Sequence, residues 1–308
     1  VVGQIRPDIS DARVTEDMGL KKKSFAGSWE GRFSTEEYEA VMEERKDIAL
    51  TIDWESGGSD VLSGAEIYKV IFDSNQPWML SANGTIFTTE FEGVIPGLLK
   101  RWYSERKDLQ AHLKKAKDAK NDVETEYWDK RQLVKKINLN SLYGAILNPG
   151  CRFFDKRIGQ STTLTGRTIV KHMSAEANKV ITGTYDHTGD AVIYGDTDSV
   201  YFSAYPTLKA DVESGKLEWN TEKAITLYDQ IADAVDSTFP DMMQKSHHCP
   251  KSRSDVIAAG REIVAKSALY ITKKRYAALV VDNEGFRTDT DGKAGKVKAM
   301  GLDLRRSD

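Results

Sequence analysis

The sequence predicts an α+β fold, in which β-hairpins and long helices occupy separate stretches of the chain. Residues 78–89 carry two short apolar runs around Asn83-Gly84, the dipeptide that most strongly favours a type I′ hairpin turn. Two long stretches with helical periodicity follow, and residues 191–203 again place apolar runs on either side of a polar turn. These three features indicate antiparallel strands combined with packed helices.

The two helical stretches are joined by a very short link. The first begins after Pro96, and the second covers about residues 123–143. Because the link is so short, the two helices must lie antiparallel. On the second helix Lys136, Asn140 and Tyr143 stand at positions i, i+4 and i+7, so they share one polar face.

Local patterns predict the remaining elements. A capping box at residues 34–37 predicts a helix that continues to about residue 50, and the apolar run 67–72 predicts a strand. Further helices are predicted at 160–182 and at about 221–238. A strand-rich segment is expected from residue 256 onward.

Two acidic residues occupy the tip of the hairpin at 191–203. Because side chains alternate between the faces of a strand, Asp196 and Asp198 are expected to project from one side of the tip. Neighbouring carboxylates repel each other unless a cation lies between them, and an all-oxygen ligand set favours Mg²⁺. A solvated turn is the alternative, since Asp, Gly, Thr and Ser are ordinary turn residues. An EF-hand is excluded, because Tyr201 stands where glycine is needed and Thr207 where the bidentate glutamate belongs.

Composition restricts the class of protein. The 308 residues are 40% hydrophobic and 30% charged, which suits one large or two ordinary globular domains. No apolar run approaches the roughly 18 residues of a membrane helix, and no signal segment precedes the first elements, so we expect a cytoplasmic setting without a membrane partner. Only Cys151 and Cys249 are present, which favours a reducing compartment. The triplet at 247–249, His-His-Cys, lacks the second ligand cluster that a structural zinc site needs.

Charge is distributed unevenly along the chain. The net charge of −3 means that attraction to nucleic acid must come from local basic patches. A solvated helix face is the alternative interpretation of such patches. The basic residues of the predicted helix pair are Lys100, Arg101, Arg106, Lys107, Lys114, Lys115, Lys117, Lys120, Lys130, Arg131, Lys135 and Lys136.

Two motifs in a fixed order carry a resemblance to a known family. The sequence Lys136-x-x-x-Asn140-Ser-Leu-Tyr-Gly144 is followed by Tyr194-Gly-Asp-Thr-Asp-Ser199. Together they resemble the fingers and palm of family B DNA polymerases, most closely the replicative polymerases of T-even-type bacteriophages. The likeness extends from about residue 83 to the end of the chain, and it includes Arg152-Phe-Phe-Asp155, Arg261-Glu262, Lys273-Lys-Arg-Tyr276 and Met300-Gly-Leu302.

The resemblance implies a domain organisation. It implies a polymerase palm, an antiparallel sheet with packed helices, into which an antiparallel two-helix fingers hairpin is inserted. Residues 1–96 would then form a palm-associated segment that includes the hairpin at 78–89, and 97–144 the fingers hairpin. Residues 145–308 would form the palm with the acidic hairpin.

The same resemblance assigns roles to the acidic and basic residues of the palm. Asp198 resembles the carboxylate that holds both catalytic metal ions, and Asp196 resembles its weaker neighbour. Glu262 resembles a carboxylate near the metals. The motif that holds the primer strand near its end is matched by Lys273, Lys274, Arg275 and Tyr276.

Roles in the fingers follow in the same way. Lys136 resembles the lysine that touches the incoming triphosphate, and Arg106 the arginine on the facing helix that clamps the γ-phosphate. Asn140 and Tyr143 match positions that line the pocket of the nascent base pair. The family often has a second phosphate-binding lysine where this chain has Gln110, so the grip of the first helix on phosphate is expected to be weaker or shared.

The implied activity is that of a DNA-directed DNA polymerase in phage replication. Deoxynucleotides would be transferred to a primer 3′-OH under template direction by a two-metal mechanism, with two Mg²⁺ ions that Mn²⁺ can replace. The implied partners are primer–template DNA and a dNTP, and a sliding clamp is a further candidate.

We expect this chain to be a piece of a longer polymerase or one subunit of a split polymerase. The exonuclease domain, the first acidic motif and the thumb would lie on other segments, so the chain alone is expected to be inactive. Two alternatives remain at this stage. One is a nucleic-acid-binding subunit without chemistry of its own. The other is a palm-domain RNA polymerase or reverse transcriptase, which would not be expected to carry the motif at 136–144.

Overall fold

The computed structural model describes residues 1–7 and 46–302. The helix predicted from the capping box at 34–37 lies mostly outside these residues. Its end was predicted wrongly, because residues 49 and 50 belong to a strand. The described strands are β1 (Gly3–Pro7), β2 (Ala49–Trp54), β3 (Ser59–Ser63), β4 (Trp78–Leu80), β5 (Thr85–Thr88), β6 (Val192–Asp196), β7 (Ser199–Phe202), β8 (Ile263–Thr272), β9 (Arg275–Asn283), β10 (Phe286–Arg287) and β11 (Lys296–Met300).

Helices alternate with groups of these strands. They are α1 (Gly64–Tyr68), α2 (Val94–Asp118), α3 (Asp122–Ile146), α4 (Lys156–Thr182), α5 (Tyr205–Glu213), α6 (Thr221–Asp236) and α7 (Phe239–His247). A π-helical turn over Lys69–Asp73 extends α1, and a short 3₁₀ helix covers Lys251–Val256. None of the helices within the described ranges is both long enough and apolar enough to span a membrane.

The strands within the described residues form three antiparallel sheets. The first has the order β3-β2-β1-β5-β4, the second consists of β6 and β7 alone, and in the third β9 pairs with β8, β10 and β11. Every pairing is antiparallel. The prediction of an α+β fold with antiparallel strands and packed helices is therefore confirmed.

The hairpin predicted at 78–89 is present as β4 and β5, but its turn differs from the expected type. Gly84 has a φ of +80°, whereas Asn83 does not share the left-handed conformation that a type I′ turn requires at both central residues. The turn is closed by Gly84 N donating to Ser81 O at 2.9 Å. Asn83 instead buries its side chain, where its Oδ1 accepts hydrogen bonds from the hydroxyls of Ser81, Ser161 and Thr85.

The segment predicted as a strand at 67–72 is helical, so that prediction was wrong. Ser63 and Glu66 form a capping box: the Ser63 hydroxyl accepts from Glu66 N, and Glu66 Oε2 accepts from Ser63 N at 2.7 Å. Ile67 and Ile71 lie one turn apart and are both buried against the first sheet. A helical period therefore explains the apolar residues better than strand alternation does.

The long helix pair forms as predicted. The linker residue Asn121 caps α3 by accepting from Glu124 N at 3.2 Å. The antiparallel packing of α2 on α3 includes a stack of His112 on Trp128, with ring centroids 4.6 Å apart. Leu113 and Ala116 are buried on the packed side of α2.

Helices α4 and α6 confirm the two remaining helix predictions, and they pack together over a second apolar core. That core consists of Ala177, Ala204, Ile231, Val235 and Phe239. The segment expected to be rich in strands begins later than predicted, since the 3₁₀ helix and a stretch without regular structure precede β8. The α4 helix also contacts both β6 and β7, so it supports the acidic hairpin.

Candidate active site

The acidic hairpin has a tight tip. Asp196 pairs with Ser199 across β6 and β7, and Thr197 adopts a left-handed φ of +54° between them. Asp198 N donates to Asp196 O at 2.6 Å, and Thr197 Oγ1 donates to Asp196 Oδ1 at 3.1 Å. The predicted strand–turn–strand is therefore confirmed, with one aspartate at the end of β6 and the other on the turn.

Four tyrosine rings join this hairpin to the hairpin formed by β8 and β9. Tyr194 lies opposite Tyr201 in the acidic hairpin, and Tyr270 lies opposite Tyr276 in the second. All six ring pairs have centroids 5.4–5.8 Å apart. The hydroxyls of Tyr201 and Tyr276 are 2.9 Å apart. Burial raises the pKa of Tyr201, and it raises the pKa of Tyr270 to about 12. We call these four residues the tyrosine cluster.

The turn between β8 and β9 carries two of the predicted DNA-binding lysines. Lys274 adopts a left-handed φ of +61°, and its backbone N donates to Tyr194 Oη at 2.8 Å. Its Nζ lies 3.2 Å from Asp196 Oδ2. Desolvation acts to raise the pKa of Asp196, but the hydrogen bonds from Lys274 and Thr197 and the charges of Lys274 and Lys273 outweigh it and lower that pKa.

The two aspartates differ in their surroundings. Asp196 is 23% exposed and paired with Lys274. Asp198 is exposed, and its carboxylate has no hydrogen bond or ion pair to any residue of the described ranges. Mg²⁺ commonly binds through one or two carboxylates plus waters and substrate phosphates, so this oxygen donor set fits a magnesium ion brought together with a nucleotide.

The third predicted carboxylate is held by a lysine. Glu262 Oε1 accepts from Lys298 Nζ at 2.9 Å. Its neighbour Arg261 binds Asp229 on α6 and the buried Asp282 on β9, both at 2.5 Å, and so fixes the start of β8. Across 1–7 and 46–302, no group of three or more His, Cys, Asp or Glu side chains is arranged to hold a metal ion.

A buried asparagine fixes the chain just before the acidic hairpin. Asn178 on α4 donates from Nδ2 to Thr184 O at 2.9 Å, and its Oδ1 accepts from Ala191 N at 3.2 Å. Gly189 lies directly against this side chain, since a Cβ there would be 2.1 Å from Asn178 Nδ2. Both ends of the loop between α4 and β6 are thereby attached to α4. We call this arrangement the Asn178 clasp.

The polar face predicted on α3 is present, and a residue from the facing helix reaches it. Arg106 Nε on α2 donates to Gln132 Oε1 at 3.2 Å, one helical turn before Lys136. The side chains of Lys136 and Asn140 are exposed and have no partner among the residues described. Tyr143 Oη lies 3.4 Å from Thr163 Oγ1 on α4. The structure thus places Arg106, Lys136, Asn140 and Tyr143 along one strip.

The adjacent lysine has a different role. Lys135 forms an ion pair with Glu105 across the two helices. It is therefore committed to helix packing, whereas the ammonium of Lys136 is available to a ligand. The predicted DNA-binding residues Lys273 and Arg275 are also exposed at the turn of the second hairpin.

Some site residues were not found from the sequence. Gln132 stands four residues before Lys136, so helical spacing could have revealed it. The tyrosine cluster also left a signal, because each hairpin carries a tyrosine on both strands near its turn. The Asn178 clasp left none, since both of its contacts are to backbone atoms, which leave no pattern of side chains in the sequence.

Comparison with known proteins identifies the family. The sequence model of DNA polymerase family B matches residues 64–230, more than half of the chain. This chain belongs to DNA polymerase family B. The matched range includes the helix pair and the acidic hairpin, while Glu262 and the basic turn at 273–276 lie beyond it.

Individual relatives come from phage, archaea and eukaryotes. The chain is 31% identical over 187 residues to a DNA-directed DNA polymerase of Escherichia phage RB69, an alignment that covers 57% of this chain and 20% of that protein. It is 26% identical over 222 residues to a DNA polymerase of Pyrococcus glycovorans, covering 72% and 22%. It is 27% identical over 216 residues to the DNA polymerase alpha catalytic subunit of Mus musculus, covering 70% and 12%.

These comparisons also set the extent of the likeness. The chain spans about a fifth or less of the length of these family B polymerases. The family B DNA polymerase of Pyrobaculum calidifontis overlaps 75% of the chain and 23% of its own, with 21% identity and a TM-score of 0.40. The sequence identities are similar for phage, archaeal and eukaryotic relatives, so they do not single out the phage enzymes.

Proposed function

We propose that this chain supplies the palm and fingers of a DNA-directed DNA polymerase, which transfers deoxynucleotides to a primer 3′-OH under template direction. The observation that carries the proposal is the docking of the acidic tip against the basic turn through the tyrosine cluster. This arrangement places carboxylates suited to a divalent ion beside exposed cations suited to a DNA strand.

The acidic tip would hold the metal ions of a two-metal mechanism. Asp198 is the principal ligand in this proposal, because its carboxylate is exposed and has no partner in the described ranges, and Asp196 is the weaker one, because Lys274 competes for it. Mg²⁺ bound there would neutralise phosphate charge and lower the pKa of the attacking hydroxyl, and Mn²⁺ could replace it. Glu262 is proposed as an outer carboxylate near this centre.

The strip on the helix pair would position the nucleotide. Phosphoryl transfer depends mainly on positioning the reactants and on stabilising the negative charge of the phosphates, so the reaction requires fixed cations beside the triphosphate. Within the described ranges the ammonium of Lys136 has no partner, and the terminal guanidinium nitrogens of Arg106 have none either while its Nε binds Gln132. Asn140 and the ring of Tyr143 lie further along the same face and would line the pocket of the base pair being formed.

The basic turn would hold the primer strand. The exposed cations of this turn are Lys273, Lys274 and Arg275. The next residue, Tyr276, is buried in the tyrosine cluster and holds the turn in place. Cations of this kind bind phosphates without reading sequence. Primer–template DNA and a dNTP are therefore the proposed ligands, and a sliding clamp is a further proposed partner.

We further propose that other segments complete the enzyme. In this organisation residues 1–96 and 145–308 belong to the palm and residues 97–144 to the fingers, while the first acidic motif, an exonuclease domain and a thumb lie elsewhere. The proposed setting is phage DNA replication in the host cytoplasm. Because the metal ligand of the first acidic motif would be missing, the chain alone is proposed to be inactive.

Primer extension tests this function. The chain would be combined with separately produced segments that carry the first acidic motif and the thumb, taken from the RB69 polymerase. Extension of a labelled primer should require both the chain and those segments. Asp198→Asn should abolish extension at any Mg²⁺ concentration, since it removes the shared ligand, whereas Asp196→Asn should be milder.

Binding measurements on the chain alone keep the test decisive if the combination does not assemble. A dideoxy-terminated primer–template should bind more tightly when the next correct dNTP is present with Mg²⁺, and Lys136→Ala should remove this gain. The proposal would be contradicted if the affinity for DNA depended neither on a primer 3′ end nor on the dNTP, and if Asp198→Asn left extension unaffected. It would instead support a nucleic-acid-binding subunit without chemistry of its own.

A further inference from the structure

We propose that Lys274 couples binding of the primer strand to binding of metal at the acidic tip, because a DNA phosphate lying across the basic turn would draw its ammonium away from Asp196. This inference rests on the proposed function and concerns how two of its binding events depend on each other. It makes Lys274 a positioning residue that acts through Asp196.

The backbone of Lys274 is fixed while its side chain is free to move. Its N–H is bound to Tyr194 Oη at 2.8 Å, and the tyrosine cluster holds the two hairpins together around that bond. The side chain of Lys274 is nevertheless 64% exposed. Lysine has a flexible four-carbon stem, so Nζ can leave one anion for another without any movement of either hairpin.

The ammonium occupies the position that matters for metal binding. Nζ lies 3.2 Å from Asp196 Oδ2, which places a positive charge at one of the two carboxylates of the tip. A divalent ion approaching the tip therefore meets a carboxylate that is already neutralised, and it also meets repulsion from the ammonium. Asp198 has no such competitor among the described residues.

A DNA phosphate would reverse this situation. Lys273 and Arg275 flank Lys274 at the same exposed turn, so a strand lying across the turn would offer phosphate oxygens to all three cations. If Lys274 turns to a phosphate, Asp196 regains its full negative charge toward a metal ion. Metal affinity should then rise when DNA binds, and by linkage DNA affinity should rise by the same factor when metal binds.

The size of the coupling follows from the kind of ion pair. Partly exposed pairs of this type are weak, so removing one should change metal affinity by about two- to fivefold. Such a change is small enough to leave each binding event possible alone. It is large enough to favour metal loading at a tip that already carries a primer.

Free Mn²⁺ measured by electron paramagnetic resonance tests the coupling without relying on catalysis. The chain would be titrated with Mn²⁺ alone and with a saturating primer–template duplex. The decisive variant is Lys274→Asn, because Asn tolerates the left-handed φ of +61° while removing the charge. Lys273→Asn is the matched control at the same turn, the duplex without protein measures the Mn²⁺ taken up by the DNA itself, and Asp198→Asn measures how much of the Mn²⁺ binding depends on the tip. Circular dichroism verifies that each variant folds.

The expected results separate this inference from the proposed function. In the parent and in Lys273→Asn, DNA should raise the Mn²⁺ affinity of the tip about two- to fivefold. Lys274→Asn should bind Mn²⁺ more tightly than the parent without DNA, and DNA should add nothing further. Equal Mn²⁺ affinity in parent and Lys274→Asn, with the same response to DNA, would overturn the coupling while leaving the metal site intact. Mn²⁺ binding that Asp198→Asn does not reduce would overturn the metal site itself, and the coupling with it.

Discussion

Replacing Gly189 with alanine should disrupt the Asn178 clasp and thereby loosen the acidic hairpin. A Cβ at this position would lie 2.1 Å from Nδ2, 2.3 Å from Cγ and 2.4 Å from Oδ1 of Asn178. These distances are far below van der Waals contact, so the amide must leave its place. The φ of Gly189 does not lie in the left-handed region, so the clash, rather than backbone strain, is the destabilising effect of alanine.

The magnitude follows from the bonds that would be lost. Asn178 is buried, and it gives one hydrogen bond to Thr184 O and accepts one from Ala191 N. Each net hydrogen bond contributes about 1 kcal/mol, and a buried group left without a partner costs about 1–3 kcal/mol. Gly189→Ala should therefore lower the free energy of unfolding by roughly 2–4 kcal/mol.

A double-mutant cycle isolates the contact. Asn178→Ala loses the same two bonds and should cost roughly 2–3 kcal/mol. In the double variant the alanine methyl meets no amide, so its cost should equal that of Asn178→Ala alone. The coupling energy between the two positions is then expected to equal the cost of Gly189→Ala with the opposite sign, about −2 to −4 kcal/mol. Urea unfolding followed by circular dichroism measures all four proteins.

A second glycine provides the control. Gly166 lies within α4, and a Cβ there would have no atom within 4 Å. Gly166→Ala should stabilise the chain by about 0.5–1 kcal/mol, because alanine favours the helix. Additive effects of the two changes in the cycle, or a neutral Gly189→Ala, would show that the loop accommodates the methyl and that the clasp does not hold the hairpin.

Two further predictions concern the polar strip on the helix pair and the response to pH. In an enzyme completed with the missing segments, Lys136→Ala should lower kcat about 10²–10³-fold while the affinity for primer–template stays nearly unchanged. The control Lys135→Ala, which only breaks the ion pair with Glu105, should change kcat little. Equal losses of steady-state rate in the two variants would contradict the separate roles. Burial, and secondarily the charge of Lys179, lower the pKa of His172 from 6.5 to about 4, so the fold favours the neutral ring. The contribution of His172 to the free energy of unfolding is complete above pH 6.5 and should fall by about 3 kcal/mol as the pH is lowered toward 4. Urea unfolding at a series of pH values measures this dependence, and His172→Gln should make it weaker.

Elements with local signals could be predicted from the sequence. The helix pair depends on helical periodicity and a cap at Asn121, and both are encoded within a few neighbouring residues. The acidic hairpin likewise follows from apolar runs around a polar turn. The helix at 64–73 was missed although Ser63 and Glu66 form a capping box, because the run of β-branched residues after it favours a strand.

Contacts between distant segments could not be predicted in this way. The pairing of Lys274 with Asp196 joins residues that are far apart in sequence, and nothing in either hairpin alone specifies the distance between their turns. The turn type at Asn83 was missed for a similar reason. Its side chain bonds Ser161 on α4, and that buried contact decides the conformation over the preference of the dipeptide.

The tyrosine cluster has a consequence for how this part of the molecule can change in evolution. Four positions on two hairpins share six ring contacts, so a smaller or larger side chain at any one of them leaves a gap or an overlap among the other three. Residues 194, 201, 270 and 276 are therefore expected to vary together among relatives rather than one at a time. Lineages that replace one ring should carry a compensating replacement on the opposite hairpin. The distance between the carboxylates of the acidic tip and the cations of the basic turn would then stay the same among relatives.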